Sequence, residues 1–310
     1  MILVDASHCL YRTLIVNKNS VQENPEFIAH LFISQILSFS KSLGGSKLNK
    51  VVVCFDSSSW RKKFYLENKP KDYGAESYKG HRVKDDSIDW ESVFSIVDKV
   101  REALSEYSDF ITMKVEEAEA DDIIAVLTKK YKNNETIWIA SSDKDFVQLQ
   151  ATPYVNIYDP LKRSFKPTVD TEMFKLIHVM IGDASDNIKA IKERLGEKTA
   201  VKIVKELDIL LQTNKSMKER FEFNKTLIDF DCIPDYISDR IIKQFEEGQG
   251  TFNALQLMRQ FRDLKLVQHT EDINKFKLSE TEVKTKLNST FTSSQKIIDN
   301  NKATLLDFFS

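Results

Sequence analysis

Short apolar segments alternate with longer segments of helical period along the first half of this chain, and this alternation most constrains its fold. The predicted strands are residues 2–4, 51–55, 111–115 and 137–140. They are rich in branched and aromatic side chains, which favours strands buried on both faces. Between them, stretches such as 27–39 and 88–104 repeat apolar residues at helical spacing. We therefore predict an α/β fold, with a mainly parallel central sheet and helices on both sides.

Strand signals stop after about residue 170, and the following segments have a helical pattern. The predicted helices cover about residues 171–181, 198–211, 216–230, 235–247 and 251–264. We therefore predict a first domain over 1–182, a smaller all-helical domain over 183–287 and a flexible tail over 288–310. Residues 68–87 are polar and basic with no apolar period, which predicts a mobile loop or loosely helical arch at about 60–87.

The composition argues against a membrane or secreted protein. Hydrophobic residues make up 41% of the chain, but no run approaches the ~18 apolar residues of a membrane span. Asp5 follows the first apolar residues with no basic stretch before it, so we expect no signal peptide. Cys9, Cys54 and Cys232 lack zinc or CxxC spacing. We expect reduced thiols in a cytoplasmic protein.

Positive charge is concentrated in two segments, although the net charge is only −2. Residues 60–84 contain eight basic and three acidic residues, and residues 187–205 contain six basic and two acidic residues. A single charged run usually covers a solvated face. Two basic segments, each beside clustered carboxylates, need more explanation than a solvated face gives, because the distribution of charge matters more than its sum.

Carboxylates follow each predicted strand. The acids at these positions are Asp5, Asp56, Glu119, Asp121, Asp122, Asp143 and Asp145, and Asp183 and Asp186 begin the helical half. The carboxyl ends of parallel strands converge on one crevice, where such a cluster is tolerable only if cations neutralise it. Oxygen ligands suit Mg²⁺, with Mn²⁺ as a substitute. Two ions roughly 3.5–4 Å apart would promote in-line displacement at phosphorus.

Each acid also has an ordinary structural interpretation. Asp121 or Asp122 alone is typical of a helix N-terminus, where the macrodipole favours negative charge. Asp143 and Asp145 suit a cap or turn, and Asp56 before three serines suits a helix cap. The occurrence of all these acids together, at the ends of predicted strands, instead favours a metal site.

Six motifs occur in the order and spacing of a known family. They are Ile2-Leu-Val-Asp5-Ala-Ser, Val-Cys-Phe-Asp56, Tyr78-Lys79-Gly-His-Arg82, Ala118-Glu119-Ala-Asp121-Asp122, Ser-Ser-Asp143-Lys-Asp145-Phe and Gly182-Asp183-Ala-Ser-Asp186-Asn187. One such motif is a weak signal, but the ordered set is specific. Residues 1 to about 205 resemble the flap endonuclease and 5′ nuclease family, most of all its phage replication members.

The resemblance implies a role for each matched position. The acids above would hold two metal ions, with Asp183 and Asp186 completing the second site. Lys79 and Arg82 would contact the scissile phosphate from the arch and neutralise developing negative charge. Tyr78 would stack on a base or pack inside the protein.

Residues 182–205 resemble the family's helix–hairpin–helix variant, which binds duplex phosphates without reading sequence. The implied DNA-binding residues here are Lys189, Lys192, Lys198 and Lys202. The usual glycine-rich hairpin is reduced to Leu195-Gly196-Glu197-Lys198. Whether a monovalent ion binds the hairpin therefore stays open.

The implied function is a structure-specific 5′ nuclease, a 5′ to 3′ exonuclease or flap endonuclease, acting on RNA–DNA or DNA duplexes. Removal of primers in phage replication, by a monomer in the host cytoplasm, fits this resemblance. The preference between exonuclease and flap cleavage, and between RNA and DNA, stays open.

Two alternatives come from other classes of function. The first is a non-catalytic DNA-binding member of the same fold, which would have lost metal carboxylates. The second is a haloacid-dehalogenase-type phosphatase, because 182–186 resembles its metal motif. That enzyme needs a second Asp two residues after the nucleophile, whereas Ala6-Ser7 follow Asp5.

The chain ends in a short apolar motif after a polar stretch. Leu305, Phe308 and Phe309 would lie on one side of a helical turn, a shape that fits an apolar pocket. The motif resembles the sliding-clamp-binding peptides of replication enzymes, although Lys302 stands where the cellular version has glutamine. The alternative is a terminus that folds back on its own helices. A single-strand binding protein is a further expected partner.

Overall fold

The computed structural model describes residues 1–44, 50–82, 85–248 and 250–277, and within them one six-stranded sheet. The strands are β1 (Ile2–Asp5), β2 (Val51–Phe55), β3 (Ile111–Lys114), β4 (Ile137–Ala140), β5 (Val155–Asp159) and β6 (Ser164–Phe165). Their spatial order is β3-β2-β1-β4-β5-β6, and every pairing is parallel except that of β5 with β6. The predicted mainly parallel sheet is confirmed.

The central strands are continuous apolar runs because both of their faces are covered. All residues of β1 and β2 are buried, and Ile2 lies opposite both Val51 and Trp138 in register. β5 was not predicted. Its sequence alternates buried residues with partly exposed Asn156 and Tyr158, so it lacks the apolar run that identified the other strands.

Seven helices lie along the first part of the described chain. They are α1 (Ala6–Val16), α2 (Lys18–Glu23), α3 (Phe27–Gly44), α4 (Trp60–Asn68), α5 (Trp90–Tyr107), α6 (Ala120–Tyr131) and α7 (Thr171–Ile181). The later helices are α8 (Glu197–Ile203), α9 (Leu207–Thr213), α10 (Lys215–Ile228), α11 (Asp235–Glu247), α12 (Ala254–Asp263) and α13 (Val267–Thr270). The expected helical second half is confirmed. No helix in the described ranges is long and apolar enough to cross a membrane.

The later helices return to both faces of the sheet. Ile237 and Phe245 of α11 join the core that contains α6, while Leu257 and Phe261 of α12 join the opposite core with α1, α3 and α5. Burying one such side chain stabilises the fold by ~1.5–3 kcal/mol. The described part of the helical half therefore shares its core with the sheet.

The arch segment packs more tightly than a mobile loop. After α4, a 3₁₀ turn at Lys71–Tyr73 and further turns place Tyr65, Tyr73 and Tyr78 in a third core with α7, α8 and α10. The rings of Tyr65 and Tyr73 lie 5.3 Å and 5.4 Å from the ring of Phe223. The prediction missed this packing because the tyrosines are spaced without a helical period. Their contacts fix the arch above the carboxyl ends of the strands.

Candidate active site

Four carboxylates from separate elements converge beyond the carboxyl ends of β1, β2 and β4. Asp5 ends β1, Asp56 follows β2, Asp121 lies in the first turn of α6 and Asp143 follows β4. Burial raises the pKa of Asp5 to about 7, and the charges of Asp56 and Asp143 add to the rise, while the amide of His8 opposes it. Burial and then the charges of Asp143 and Asp5 raise the pKa of Asp121 well above its ordinary value. The structure therefore brings the predicted carboxylates together.

Hydrogen bonds hold these carboxylates in place. Asp5 caps α1 by accepting from the amide of His8 at 2.9 Å, and its second oxygen accepts from Ser141 Oγ at 3.0 Å. Ser141 Oγ also accepts from the amide of Asp143 at 3.1 Å. Asp56 Oδ1 accepts from the amide of Ala120 at 2.7 Å, which joins β2 to the start of α6. The cluster is therefore built into the ends of the strands and helices.

Asp122 does not join the cluster. Its side chain is fully buried, and its oxygens accept from Arg61 Nη1 at 2.7 Å and Trp60 Nε1 at 3.2 Å. It also accepts from the amide of Glu119 at 3.0 Å, which completes a capping box. Adjacent residues at a helix start point about 100° apart, as 3.6 residues per turn requires. The prediction of Asp122 as a metal ligand is corrected, because it neutralises Arg61.

Glu119 lies where the arch meets the cluster. Its Oε1 accepts from Lys79 Nζ at 2.7 Å, and its Oε2 accepts from Arg61 Nη1 at 3.3 Å. Burial would raise the pKa of Glu119, but the charges of Lys79 and Arg61 outweigh it and lower the pKa to about 2. Glu119 is therefore an ionised group shared between a structural cation and the arch.

The arch residues reach the same crevice. Arg82 Nη2 lies 2.5 Å from Asp186 Oδ1, and Lys79 Nζ lies 3.8 Å from Asp186 Oδ2. Tyr78 is 5% exposed, with its hydroxyl 3.2 Å from Glu119 Oε2 and 3.1 Å from Asp186 Oδ2. Of the two roles considered for Tyr78, the structure shows packing, which orients the arch against two carboxylates.

Asp183 and Asp186 lie on a short 3₁₀ turn that follows α7. Asp183 Oδ1 accepts from the amide of Ser185 at 2.8 Å. Gly182 precedes the turn with φ of +70°, and an added Cβ would lie 2.3 Å from the carbonyl oxygen of Ile188. Only glycine fits this position, which explains why the motif begins with Gly182.

His178 was not predicted, and it lies between two predicted carboxylates. Its Nε2 is 3.2 Å from Asp183 Oδ2, and its Nδ1 is 3.5 Å from Asp145 Oδ1. Burial raises the pKa of Asp183, but the hydrogen bond from His178 and the charge of Lys144 outweigh it and keep the pKa below its usual range. One atom from each of Asp145, His178 and Asp183 lies within 4.8 Å of the others, so the group could hold a metal ion. The feature of the sequence that could have pointed to His178 is its place as a single histidine inside the apolar run 176–181.

Lys166, directly after β6, was also missed. Its Nζ donates to the carbonyl oxygens of Ser142 at 2.8 Å and Asp143 at 2.5 Å. Burial lowers the pKa of Lys166 to about 8, although Asp143 and Asp159 oppose that change. The lysine braces the loop that carries Asp143. Since β6 itself was not predicted, no sequence pattern placed Lys166 near the cluster.

The predicted DNA-binding lysines occupy two environments. Lys189 Nζ lies 3.1 Å from Glu76 Oε1 and 4.8 Å from the ring centroid of Tyr73, so it contacts the arch. Lys192, Lys198 and Lys202 are exposed, the last two on α8. The helix–hairpin–helix variant stays a prediction. The proposed clamp-binding residues Leu305, Phe308 and Phe309 lie outside the described residues.

Two family models match the chain. Residues 1–178 match the 5′-3′ exonuclease, N-terminal resolvase-like domain, and residues 169–276 match the T4 RNase H, C terminal, domain. The Ribonuclease H of Enterobacteria phage T4 is 29% identical over 269 residues, which cover 78% of this chain and 85% of that protein. The 5′-3′ exonuclease of Mycoplasmopsis pulmonis is 26% identical over 231 residues, covering 71% of this chain and 69% of that protein.

Solved structures share the fold. The T5 D15 protein co-crystallized with metal ions superposes with a TM-score of 0.57 at 22% identity, covering 86% of this chain and 98% of that chain. A complex of the bacteriophage T5 D15 flap endonuclease with DNA and metal ions gives a TM-score of 0.58 at 21% identity, with the same coverage. At this identity the likeness establishes the architecture, a mainly parallel sheet followed by helices.

Proposed function

Because the chain belongs to the 5′-3′ exonuclease family and is thus a structure-specific 5′ nuclease, we propose that it hydrolyses RNA–DNA or DNA duplexes with two Mg²⁺ ions. Mn²⁺ would substitute for Mg²⁺. The proposed biological role is removal of primers during phage DNA replication in the host cytoplasm. Family membership decides against the phosphatase alternative.

The convergence of carboxylates beyond the strand ends carries this proposal. Asp5 and Asp145 have pKa values of about 7, and burial is the main cause of both rises. Such a group stays ionised at neutral pH when cations bind between its members. Oxygen donors from Asp56, Asp121 and Asp143 suit Mg²⁺. When bound, the ions would supply an activated water and charge stabilisation at phosphorus.

The arch supplies the protein's own cations to this crevice. Lys79 and Arg82 pair with Glu119 and Asp186, so both carry their charge beside the carboxylates. A phosphate entering between the arch and the cluster would offer these cations a new partner. Their proposed role is to orient it and stabilise its developing charge.

Exposed lysines supply a second, sequence-independent contact. Lys192, Lys198 and Lys202 follow the turn that carries Asp183 and Asp186 in the chain, and a duplex bound to them would lead toward the crevice. Lysines that face solvent suit phosphate contacts, which position a duplex without reading bases. We propose that this surface selects duplex beside a 5′ end.

Product mapping on end-labelled flap, nicked and RNA–DNA duplexes with Mg²⁺ tests the proposal. The wild-type protein should release short 5′ products, and their length and sugar type would define the preferred substrate. Asp143→Asn should reduce cleavage by several orders of magnitude and keep DNA binding in Ca²⁺. Binding without cleavage by the wild type would favour the non-catalytic alternative and overturn the proposal.

We also propose that the enzyme is a monomer and binds a sliding clamp through Leu305, Phe308 and Phe309. A tether of this kind raises the local concentration of enzyme at DNA ends. Removing residues 302–310 should leave cleavage of short oligonucleotides unchanged and abolish stimulation by the cognate clamp. Persistent stimulation with a lower melting temperature would assign the tail to the protein's own fold. A single-strand binding protein is the further proposed partner, and pull-down with the cognate protein tests it.

A further inference from the structure

We propose that His178 is a nitrogen ligand of the second metal ion, together with Asp145 and Asp183, and that this ligand makes the second site prefer Mn²⁺ to Mg²⁺. The inference deepens the proposed two-metal function and rests on it. The ligand set predicted from sequence contained oxygen atoms only. An imidazole among the ligands changes which ions bind most tightly.

The geometry places the imidazole inside the carboxylate group. His178 is 0% exposed, and its ring lies 5.8 Å from that of Phe174 in an edge-on contact, which fixes its direction. Nε2 is 3.2 Å from Asp183 Oδ2, and Nδ1 is 3.5 Å from Asp145 Oδ1. Adjacent ligands of an octahedral ion with bonds of ~2.1 Å lie about 3 Å apart. A shift of a few tenths of an ångström would bring Nδ1 and Asp145 to that separation.

The two ring nitrogens point in nearly opposite directions, so an ion would bind one of them. Nδ1 faces Asp145 and Nε2 faces Asp183, and one atom from each of the three residues lies within 4.8 Å of the others. An ion held by this group would therefore have the imidazole within reach as a ligand.

The metal preference follows from the donor set. Mg²⁺ prefers oxygen ligands and keeps several waters, whereas imidazole suits transition-metal ions. A set of two carboxylates and one imidazole should therefore favour Mn²⁺ over Mg²⁺ at this site. The four residues Asp5, Asp56, Asp121 and Asp143 offer carboxylate oxygens, so the two sites should differ in selectivity.

Electron spin echo envelope modulation of the Mn²⁺-loaded full-length protein tests the proposal directly. Nitrogen-14 modulation typical of a coordinated imidazole is expected for the wild type. It should disappear in His178→Gln and persist in the matched control His30→Gln, because His30 pairs with His269. Titration calorimetry should show the Mn²⁺ to Mg²⁺ affinity ratio of one site falling about 10-fold or more in His178→Gln.

The outcomes separate this inference from the proposed function. Bound Mn²⁺ without nitrogen modulation in the wild type would overturn the assignment of His178 as a ligand. If that preparation still cleaves a flap with Mg²⁺, the nuclease function stands. Nitrogen modulation without cleavage by either ion would instead contradict the nuclease function. A wild-type spectrum without nitrogen modulation overturns the assignment even if His178→Gln fails to fold.

Discussion

Lys79 Nζ lies 2.7 Å from Glu119 Oε1, so the arch delivers a cation directly to the carboxylate crevice. Lys79 has φ of 56° in the left-handed region, and its amide donates to the carbonyl oxygen of Asp186 at 3.1 Å. The backbone of the arch is thus fastened at the residue whose side chain enters the crevice. Burial opposes the charge, but Glu119 and Asp186 raise the pKa of Lys79 above its ordinary value. Lys79 therefore stays charged at every pH at which the enzyme would work.

Replacing Lys79 with alanine should slow cleavage more than it weakens binding. The lysine acts on charge that develops at the phosphate, and losing one such donor typically costs about 10²–10³-fold in rate. Single-turnover cleavage of a flap and binding in Ca²⁺ measure the two effects separately. Lys62→Ala is the matched control, since Lys62 is exposed on α4. If Lys79→Ala and Lys62→Ala changed the cleavage rate and the binding affinity in the same way, Lys79 would be an ordinary phosphate contact.

Replacing Arg61 with methionine should destabilise the whole protein. Arg61 is 3% exposed, and its Nη1 donates to Asp122 at 2.7 Å while its Nε donates to the carbonyl oxygen of Leu227 at 2.9 Å. The change leaves Asp122 buried without its cation, which costs about 3–5 kcal/mol.

Urea unfolding followed by circular dichroism measures this loss. The double variant Arg61→Met, Asp122→Asn should recover part of it, because the second change removes the unpaired charge. A loss below about 1 kcal/mol in Arg61→Met, the size of an exposed pair, would contradict the structural role given to Asp122.

The metal-free protein should lose stability as pH rises from about 4 to about 7. Asp5 and Asp145 have pKa values of about 7 in the folded protein, raised from 3.8, mainly by burial. The folded state therefore holds more protons than the unfolded state in this range, and the free energy of unfolding falls as pH rises.

Melting temperatures measured in EDTA between about pH 4 and pH 7 show whether stability falls as pH rises. The variant Asp145→Asn isolates the contribution of Asp145 to that fall. The variant should show a weaker decline with pH, and added Mg²⁺ should reduce the decline in the wild type. Parallel curves for the wild type and Asp145→Asn in EDTA would contradict the raised pKa of Asp145.

Strand ends and their acids were predictable from sequence because burial on both faces produces apolar runs. β1 and β2 end at Asp5 and just before Asp56, as predicted. The role of Asp122 was not predictable, since its partner Arg61 is 61 positions away and contacts it only through the packing of α4 on α6. His178 was missed for a similar reason. A histidine in an apolar helix is usually a core residue, and only the tertiary structure places it between Asp145 and Asp183.

Replacing Lys198 and Lys202 with glutamate should weaken binding to all duplex sequences alike. Both are exposed and lie four residues apart on α8, so they share one face of the helix. Each lost phosphate contact lowers the slope of log affinity against log salt by about 0.9. The double variant should therefore reduce that slope by up to about 2 while leaving base preference unchanged.

Fluorescence anisotropy with several duplex sequences over a salt series, in Ca²⁺, provides the measurement. The control Lys215→Glu, Lys243→Glu makes the same charge change at exposed lysines of α10 and α11. An equal loss in the control would assign the effect to net charge, and a sequence-dependent loss would point to base readout by α8.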